Sequence, residues 1–134
     1  MQKIKDLHTF IINLNLFAAE QMESVVDDLT VIPACRPNDN AGELVIAEKD
    51  YTATFFIERY PHGQVSEDQL LAQVSAWLVQ NDADRTIPFD FSLNIEVMDA
   101  QIADLEFGIP FNELIIAQED VAGDIIVDGV RYAL

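Results

Sequence analysis

The side chains most able to do chemistry in this sequence are two histidines and one cysteine. His8 lies beside an apolar stripe and His62 lies in a Pro-His-Gly turn, and neither has a second histidine at metal-ligand spacing. Cys35 follows an apolar run without a Cys-x-x-Cys partner or an adjacent base. A small buried residue is therefore favoured over a nucleophile at that position. We expect structural or solvated roles for all three.

Carboxylates are abundant but form no recognisable site. Asp82, Asp84 and Asp90 have part of the spacing of a calcium loop, yet its central glycine and closing Glu are absent. Glu67 and Asp68 fall in the first turn of a predicted helix, where the helix dipole favours negative charge. No nucleophile elbow, phosphate-binding glycine loop or His-Glu-x-x-His pattern occurs. The sequence predicts no catalytic residue, no metal and no cofactor, and an enzyme is disfavoured.

The charge balance narrows the class of partner. The 24 acidic and 7 basic side chains leave a net charge of −17. So few Lys and Arg cannot neutralise many phosphates, which disfavours direct binding to nucleic acid or to an anionic membrane and favours protein partners. The single cysteine, the absence of a signal-like start and the lack of a long apolar stretch predict a cytoplasmic site of synthesis.

Two amphipathic helices are predicted from apolar spacing. The first covers residues 3 to about 15, with a stripe of Ile4, Leu7, Ile11 and Ile12. The second begins at Ser66, which has the spacing of a capping box with Gln69, and it ends at Asn81-Asp82. Its apolar stripe adds three residues to the predicted core: Leu70, Val74 and Trp77.

Strands are predicted on either side of the second helix. Residues 23–26 and 29–35 form two short runs, 43–60 form one long strand or two, and 89–97 and 102–111 alternate apolar and polar residues. The alternation predicts that Ile95 and Val97 face inward together with Phe91 and Leu93. The predicted core includes Phe91, Leu93, Leu105 and Phe107. Asp128-Gly129 predicts a two-residue hairpin. The order predicts one α+β domain over residues 1–134, with two helices packed on one face of a mainly antiparallel sheet.

Several stretches of the sequence resemble a known family. They run from Tyr51 through the Ser66 helix with Trp77, and then through residues 91–97, 99–105 and 112–115. Together they resemble the tail-completion protein R family of temperate contractile-tailed phages and prophages, over most of the chain from about residue 43. Some members of that family are expected to have a longer C-terminal tail.

The resemblance implies a structural protein similar to tail terminators. Such proteins form a ring on the tail tube, end its polymerisation and offer a surface for head joining. It therefore implies a homo-oligomeric ring, most simply a hexamer, with the tail tube protein and the head-tail connector protein as partners. Assembly would take place in the host cytoplasm, and the product would lie in the virion tail. The acidic residues would either line a lumen that repels passing DNA or form a solvated surface.

Two other functions are also compatible with the sequence. An acidic DNA-mimic inhibitor or decoy of a nucleic-acid-binding protein would need rows of phosphate-like charges, whereas the acids here are spread along the chain. A chaperone or adaptor of a secretion-type machine derived from a phage tail is the other alternative.

Partner contacts are predicted in two segments that combine chain breakers with polar groups, residues 36–42 and 60–63. The predicted contact residues are Arg36, Asn38, Asp39, Asn40, Tyr60 and His62.

Overall fold

The computed structural model describes residues 1–82 and 90–134. Its elements in chain order are α1 (Gln2–Asn13), a short 3-10 helix (Ala19–Gln21), β1 (Met22–Pro37), β2 (Glu43–Tyr60), α2 (Glu67–Asn81), β3 (Leu93–Val97), β4 (Ala103–Glu119), β5 (Ile125–Val127) and β6 (Val130–Ala133). The prediction of an α+β fold is confirmed. Asp84 of the calcium-like spacing and Phe89 at the start of a predicted strand lie outside the described residues.

The described strands form one mainly antiparallel sheet in the order β1-β2-β4-β6-β5, and β3 also pairs with β4. Leu93 of β3 lies opposite Phe107 of β4, and β6 pairs with both β4 and β5. The runs predicted at residues 23–26 and 29–35 form the single strand β1, and a positive φ of 54° at Asp28 marks their junction.

The chain divides into two compact units. The first comprises Met1–Asp27 and Thr52–Ile109, and the second comprises Asp28–Tyr51 and Pro110–Leu134. The three long strands β1, β2 and β4 contribute residues to both. That the whole chain behaves as one domain stays a prediction.

The core of the first unit lies between the helices and one face of the strands. Alternate residues of β2 and β4 are buried, as the period of two requires, and Phe55 stacks on Phe107 with ring centroids 5.1 Å apart. A 2.8 Å hydrogen bond between His8 and Ser24 joins α1 to β1. The helices contribute the buried side chains of Ile4, Leu7, Ile11, Leu70, Val74 and Leu78.

Two parts of the predicted core need correction. Trp77 is only half-buried. Its ring packs on Phe10 of α1, with centroids 6.3 Å apart, and therefore lies in the contact between the two helices. Phe91 is also half-buried and lies 6.2 Å from the ring of Phe107. Along β3, Leu93 is half-buried. Ile95 and Val97 are exposed, so the prediction that they face the core is wrong. A short strand at the side of a sheet leaves most of its side chains exposed.

The predicted start and end of α2 and the predicted β5–β6 turn are confirmed, but Ser66 caps α2 through Asp68 and not through a capping box with Gln69. The Ser66 hydroxyl accepts a hydrogen bond of 3.2 Å from the Asp68 backbone N–H, which satisfies one free donor at the start of α2. The helix ends at Asn81 as predicted. Asp128 and Gly129 have φ values of 50° and 78°, as the mirror-image hairpin turn between β5 and β6 requires.

The second unit has its own buried cluster on the other halves of the long strands. Tyr51 packs on Phe111 with ring centroids 5.8 Å apart, and its hydroxyl donates to the Glu113 carboxylate. On the same pair of strands, the Asn112 side-chain amide donates to Asp50 at 2.6 Å. Val45, Ala47 and Ala117 are also buried in this unit. Specific polar pairs therefore accompany the apolar contacts between β2 and β4.

Candidate interaction surfaces

The first predicted contact segment closes the hairpin between β1 and β2 in the second unit. Asn38 and Asn40 each donate a side-chain hydrogen bond to the Glu43 carboxylate, at 2.7 and 3.1 Å. The guanidinium of Arg36 lies 2.7 Å from Glu48. Three of the predicted contact side chains therefore hold the loop in shape. Asp39 is exposed at the loop tip, where a partner can reach it.

The second segment, residues 60–63, lies in the first unit and packs against the turn at residues 99–101. The His62 ring lies 2.9 Å from the Asp99 carbonyl, and the Gly63 N–H donates to the Gln101 carbonyl at 3.1 Å. A Cβ on Gly63 would come within 2.7 Å of the Ala100 carbonyl oxygen, so only glycine fits this approach. Two turns distant in sequence thus form one surface feature.

The Asp99 carboxylate organises that feature. It accepts the backbone N–H groups of Gln101 and Ile102 at 2.7 and 2.9 Å. These two hydrogen bonds, helped by the nearby His62, lower the pKa of Asp99 below its ordinary value. The carboxylate consequently stays charged, and keeps its hydrogen bonds, at mildly acidic pH.

Tyr60 does not lie on the surface where the sequence placed it. Its side chain is fully buried, its ring packs edge-on to Phe17, and its hydroxyl donates to the Ser66 carbonyl at 3.3 Å. Burial, with a further contribution from the charge of Glu67, raises the pKa of the phenol. Tyr60 therefore supports the start of α2, and no partner can contact its side chain in this structure.

Cys35 also differs from its predicted environment. The sequence favoured a buried side chain, but the thiol is exposed, and the residue adopts a positive φ of 47°. Its sulfur lies 3.8 Å from the Ile46 carbonyl of the neighbouring strand. Residues 29–33 of the same strand are exposed as well, so this half of β1 provides no core for the side chain to enter.

A shallow depression of about 650 Å³ lies on the strands of the first unit. Phe56 and Ile95 line it, and so does Asp104, whose carboxylate accepts the Arg59 backbone N–H at 3.0 Å. The other carboxylates lining it are Glu23, Glu58, Glu96 and Glu106. Among the described residues no Lys or Arg side chain lines the depression, so all the charged groups named here are acidic.

Neither metal binding nor membrane crossing gains support from the described residues. Within 1–82 and 90–134, no group of three or more His, Cys, Asp or Glu side chains has an arrangement suited to a metal ion. No helix in these ranges has the length and apolar character needed to cross a membrane. The absence of a metal and of a cofactor stays a prediction.

The surface that sequence reasoning missed is the free side of β1 in the second unit. Leu29, Val31 and Ile32 are 46%, 53% and 42% exposed on the outermost strand of the described sheet. One feature of the sequence could have indicated this surface: residues 29–35 carry no charged side chain, in a chain with 24 acids. An uncharged apolar run predicts a strand, but it does not indicate that the strand lies at the edge of the sheet.

Comparison with known proteins finds similarity to phage proteins. The model of the family described as P2 phage tail completion protein R (GpR) matches residues 1–134. A protein of Haemophilus phage HP1 (strain HP1c1), the 19.2 kDa protein of its rep-hol intergenic region, is 33% identical over 95 residues. The match covers 66% of this chain and 55% of that relative, so the chain spans about half the relative's length. No solved structure matches.

Proposed function

The chain belongs to the family of P2 phage tail completion protein R, and we propose that it completes the tail by capping the tail tube as a homo-oligomeric ring. In this proposal the ring ends polymerisation of the tube protein and offers the surface to which the head-tail connector protein binds. The observation that carries the proposal is the family match over the entire chain. Assembly in the host cytoplasm, and residence in the virion tail of a phage or prophage-derived particle, belong to the same proposal.

The physical properties of the chain support a structural role of this kind. A sheet with two different outer strands and a separate helical face gives each subunit non-identical patches, which a closed ring of heterologous contacts needs. A net charge of −17 per subunit would keep DNA from adhering to a lumen through which it passes. Family membership also weighs against an enzyme and against the DNA-mimic decoy considered above.

The direct test is to delete the gene in a phage that encodes it and to complement the deletion with the wild-type protein. Tail length measured by electron microscopy and infectious titre should both be scored. We expect tails of uncontrolled length that lack heads in the deletion, with both properties restored by the wild-type protein. Normal tails and a normal titre without the gene would contradict the proposal.

We also propose that the tip of the β1–β2 loop contacts the tube or the connector. Because Asn38 and Asn40 hold the loop through Glu43, their replacement would disturb its shape, whereas Asp39→Ser removes only an exposed carboxylate. Asp39→Ser should leave the unfolding midpoint unchanged and lower head joining in the complementation assay. Asp124→Ser, at an exposed acid elsewhere in the same unit, is the matched control. Equal titres for the two variants would exclude this contact.

A further inference from the structure

We infer that the free side of β1 pairs with β5 of a neighbouring copy, so that one sheet continues from subunit to subunit; this inference rests on the proposed ring. Within the described residues, β1 and β5 stand at the two ends of the order β1-β2-β4-β6-β5, while β3, a third strand with one paired neighbour, belongs to the first unit. The relevant part of β1, from Asp28 onward, and all of β5 belong to the second unit. An outermost strand presents unpaired N–H and C=O groups that another strand can bind.

The side of β1 lacks the protection that soluble proteins usually place on such a strand. Charged side chains normally block pairing with a second chain. This chain carries 24 acids, yet residues 29–35 include none and include no Lys or Arg either. Leu29, Val31 and Ile32 are instead substantially exposed. An isolated subunit therefore has no charged side chains on residues 29–35 to block pairing with a second chain.

The length of the open segment fits a short partner strand. Asp28, with a positive φ of 54°, bounds the segment on one side, and Pro33, which has no N–H, bounds it on the other. Four regular residues, 29–32, lie between them. β5 has three residues, Ile125–Val127, and its central Ile126 is 58% exposed. Both segments are uncharged, and a register that offsets Asp28 from Asp124 and Asp128 keeps the flanking carboxylates from facing each other.

The use of two different strands determines the kind of assembly. Pairing of β1 with β1 of a second copy would be isologous and would stop at a dimer, whereas pairing of β1 with β5 is heterologous and can close into a ring. A contact of three or four residues is small, because stable interfaces bury about 1,200–2,000 Å² in total. We therefore expect the ring to form at high protein concentration or on the tube, where further contacts add to it.

Disulfide cross-linking tests the inference directly. In a Cys35→Ser background, Thr30→Cys is combined in turn with Ile125→Cys, Ile126→Cys and Val127→Cys, which together sample both faces of β5. Two cysteines can be bridged only when their Cα atoms are within about 7 Å. After oxidation at high concentration, with and without tail tube, at least one pair should give a ladder of species up to a closed hexamer on a non-reducing gel. Thr30→Cys with Val79→Cys, which lies on exposed α2, is the matched control and should give no ladder.

The outcomes separate this inference from the proposed ring. Cross-linked dimers from Thr30→Cys alone, with no ladder from the three pairs, would replace the inferred contact by β1–β1 pairing. A ring-sized mass by light scattering without any ladder would overturn the β1–β5 contact and leave the ring standing. A monomer mass in every condition, also without a ladder, would overturn both.

Discussion

The ion pair between Lys3 and Asp82 joins the start of α1 to the end of α2 in the first unit. The ammonium and carboxylate lie 2.6 Å apart, and the Asp82 side chain is only 3% exposed. Removal of one partner from a buried ion pair typically costs about 3–5 kcal/mol. The partial exposure of Lys3 indicates the lower end of that range.

Lys3→Met should therefore lower the free energy of unfolding by about 3 kcal/mol, because the aliphatic part of the side chain is kept while the charge is lost. Lys5→Met is the matched control, since it removes the same charge from an exposed position on the same helix. The measurement is the denaturant midpoint of each variant. Equal midpoints would show that the ion pair contributes nothing to stability.

The raised pKa of Tyr60 predicts that the free energy of unfolding falls at alkaline pH. Burial, and then the charge of Glu67, raise the pKa of its phenol, so the folded state favours the neutral form. This contribution is complete below about pH 10, the ordinary value for tyrosine, and is lost as the pH rises toward the pKa in the folded state. Tyr60→Phe cannot ionise, so its unfolding midpoint should fall less steeply than that of the wild type over this range. An equally steep fall of the unfolding midpoint in the wild type and in Tyr60→Phe would contradict a raised pKa at Tyr60.

The contact between the helices depends on Trp77 and Phe10, whose rings lie 6.3 Å apart at a tilted angle. Because Trp77 is half-buried, Trp77→Ala should cost about 2 kcal/mol, below the 3–5 kcal/mol of a fully buried tryptophan. A double-mutant cycle with Phe10→Ala should give a coupling of about 0.5–1.5 kcal/mol. Val79→Ala, at a position on α2 that is 73% exposed, should change the midpoint little. A coupling near zero would mean that the helices are held by other contacts.

The elements show which parts of the fold the sequence was able to predict. Period-two burial held along β4, where Leu105 and Phe107 are almost fully buried, because β4 lies inside the sheet and is covered on one face. The same pattern failed at Ile95 and Val97, because a short strand with one paired neighbour does not place its alternate residues in a core. Periodicity encodes which residues share a face and does not encode whether that face is covered.

The candidate contact residues were harder to predict than the elements. Turn composition correctly placed the loop that contains Asn38 and Asn40, but it could not indicate that both amides bind Glu43. Tyr60 stands beside a turn in sequence, yet its ring enters the core of the first unit. Both outcomes depend on contacts between residues whose mutual distance is set by tertiary packing.

For the whole molecule, the net charge of −17 sets the conditions under which copies can associate. Like-charged subunits repel one another over the screening length, which is about 10 Å at 0.1 M salt and about 3 Å at 1 M. Apolar contacts are also strengthened by salts that are excluded from protein surfaces. Association of this protein should therefore increase with protein concentration and with added salt.

The measurement that tests the central claim most directly is the mass of the protein by light scattering, across a concentration series at low and high salt and with tail tube added. Six copies of 15.0 kDa give about 90 kDa. We expect this mass at high concentration, a lower required concentration when salt is added, and rings in the protein bound to tubes. A mass of one subunit under every condition, including with tail tube present, would contradict this expectation.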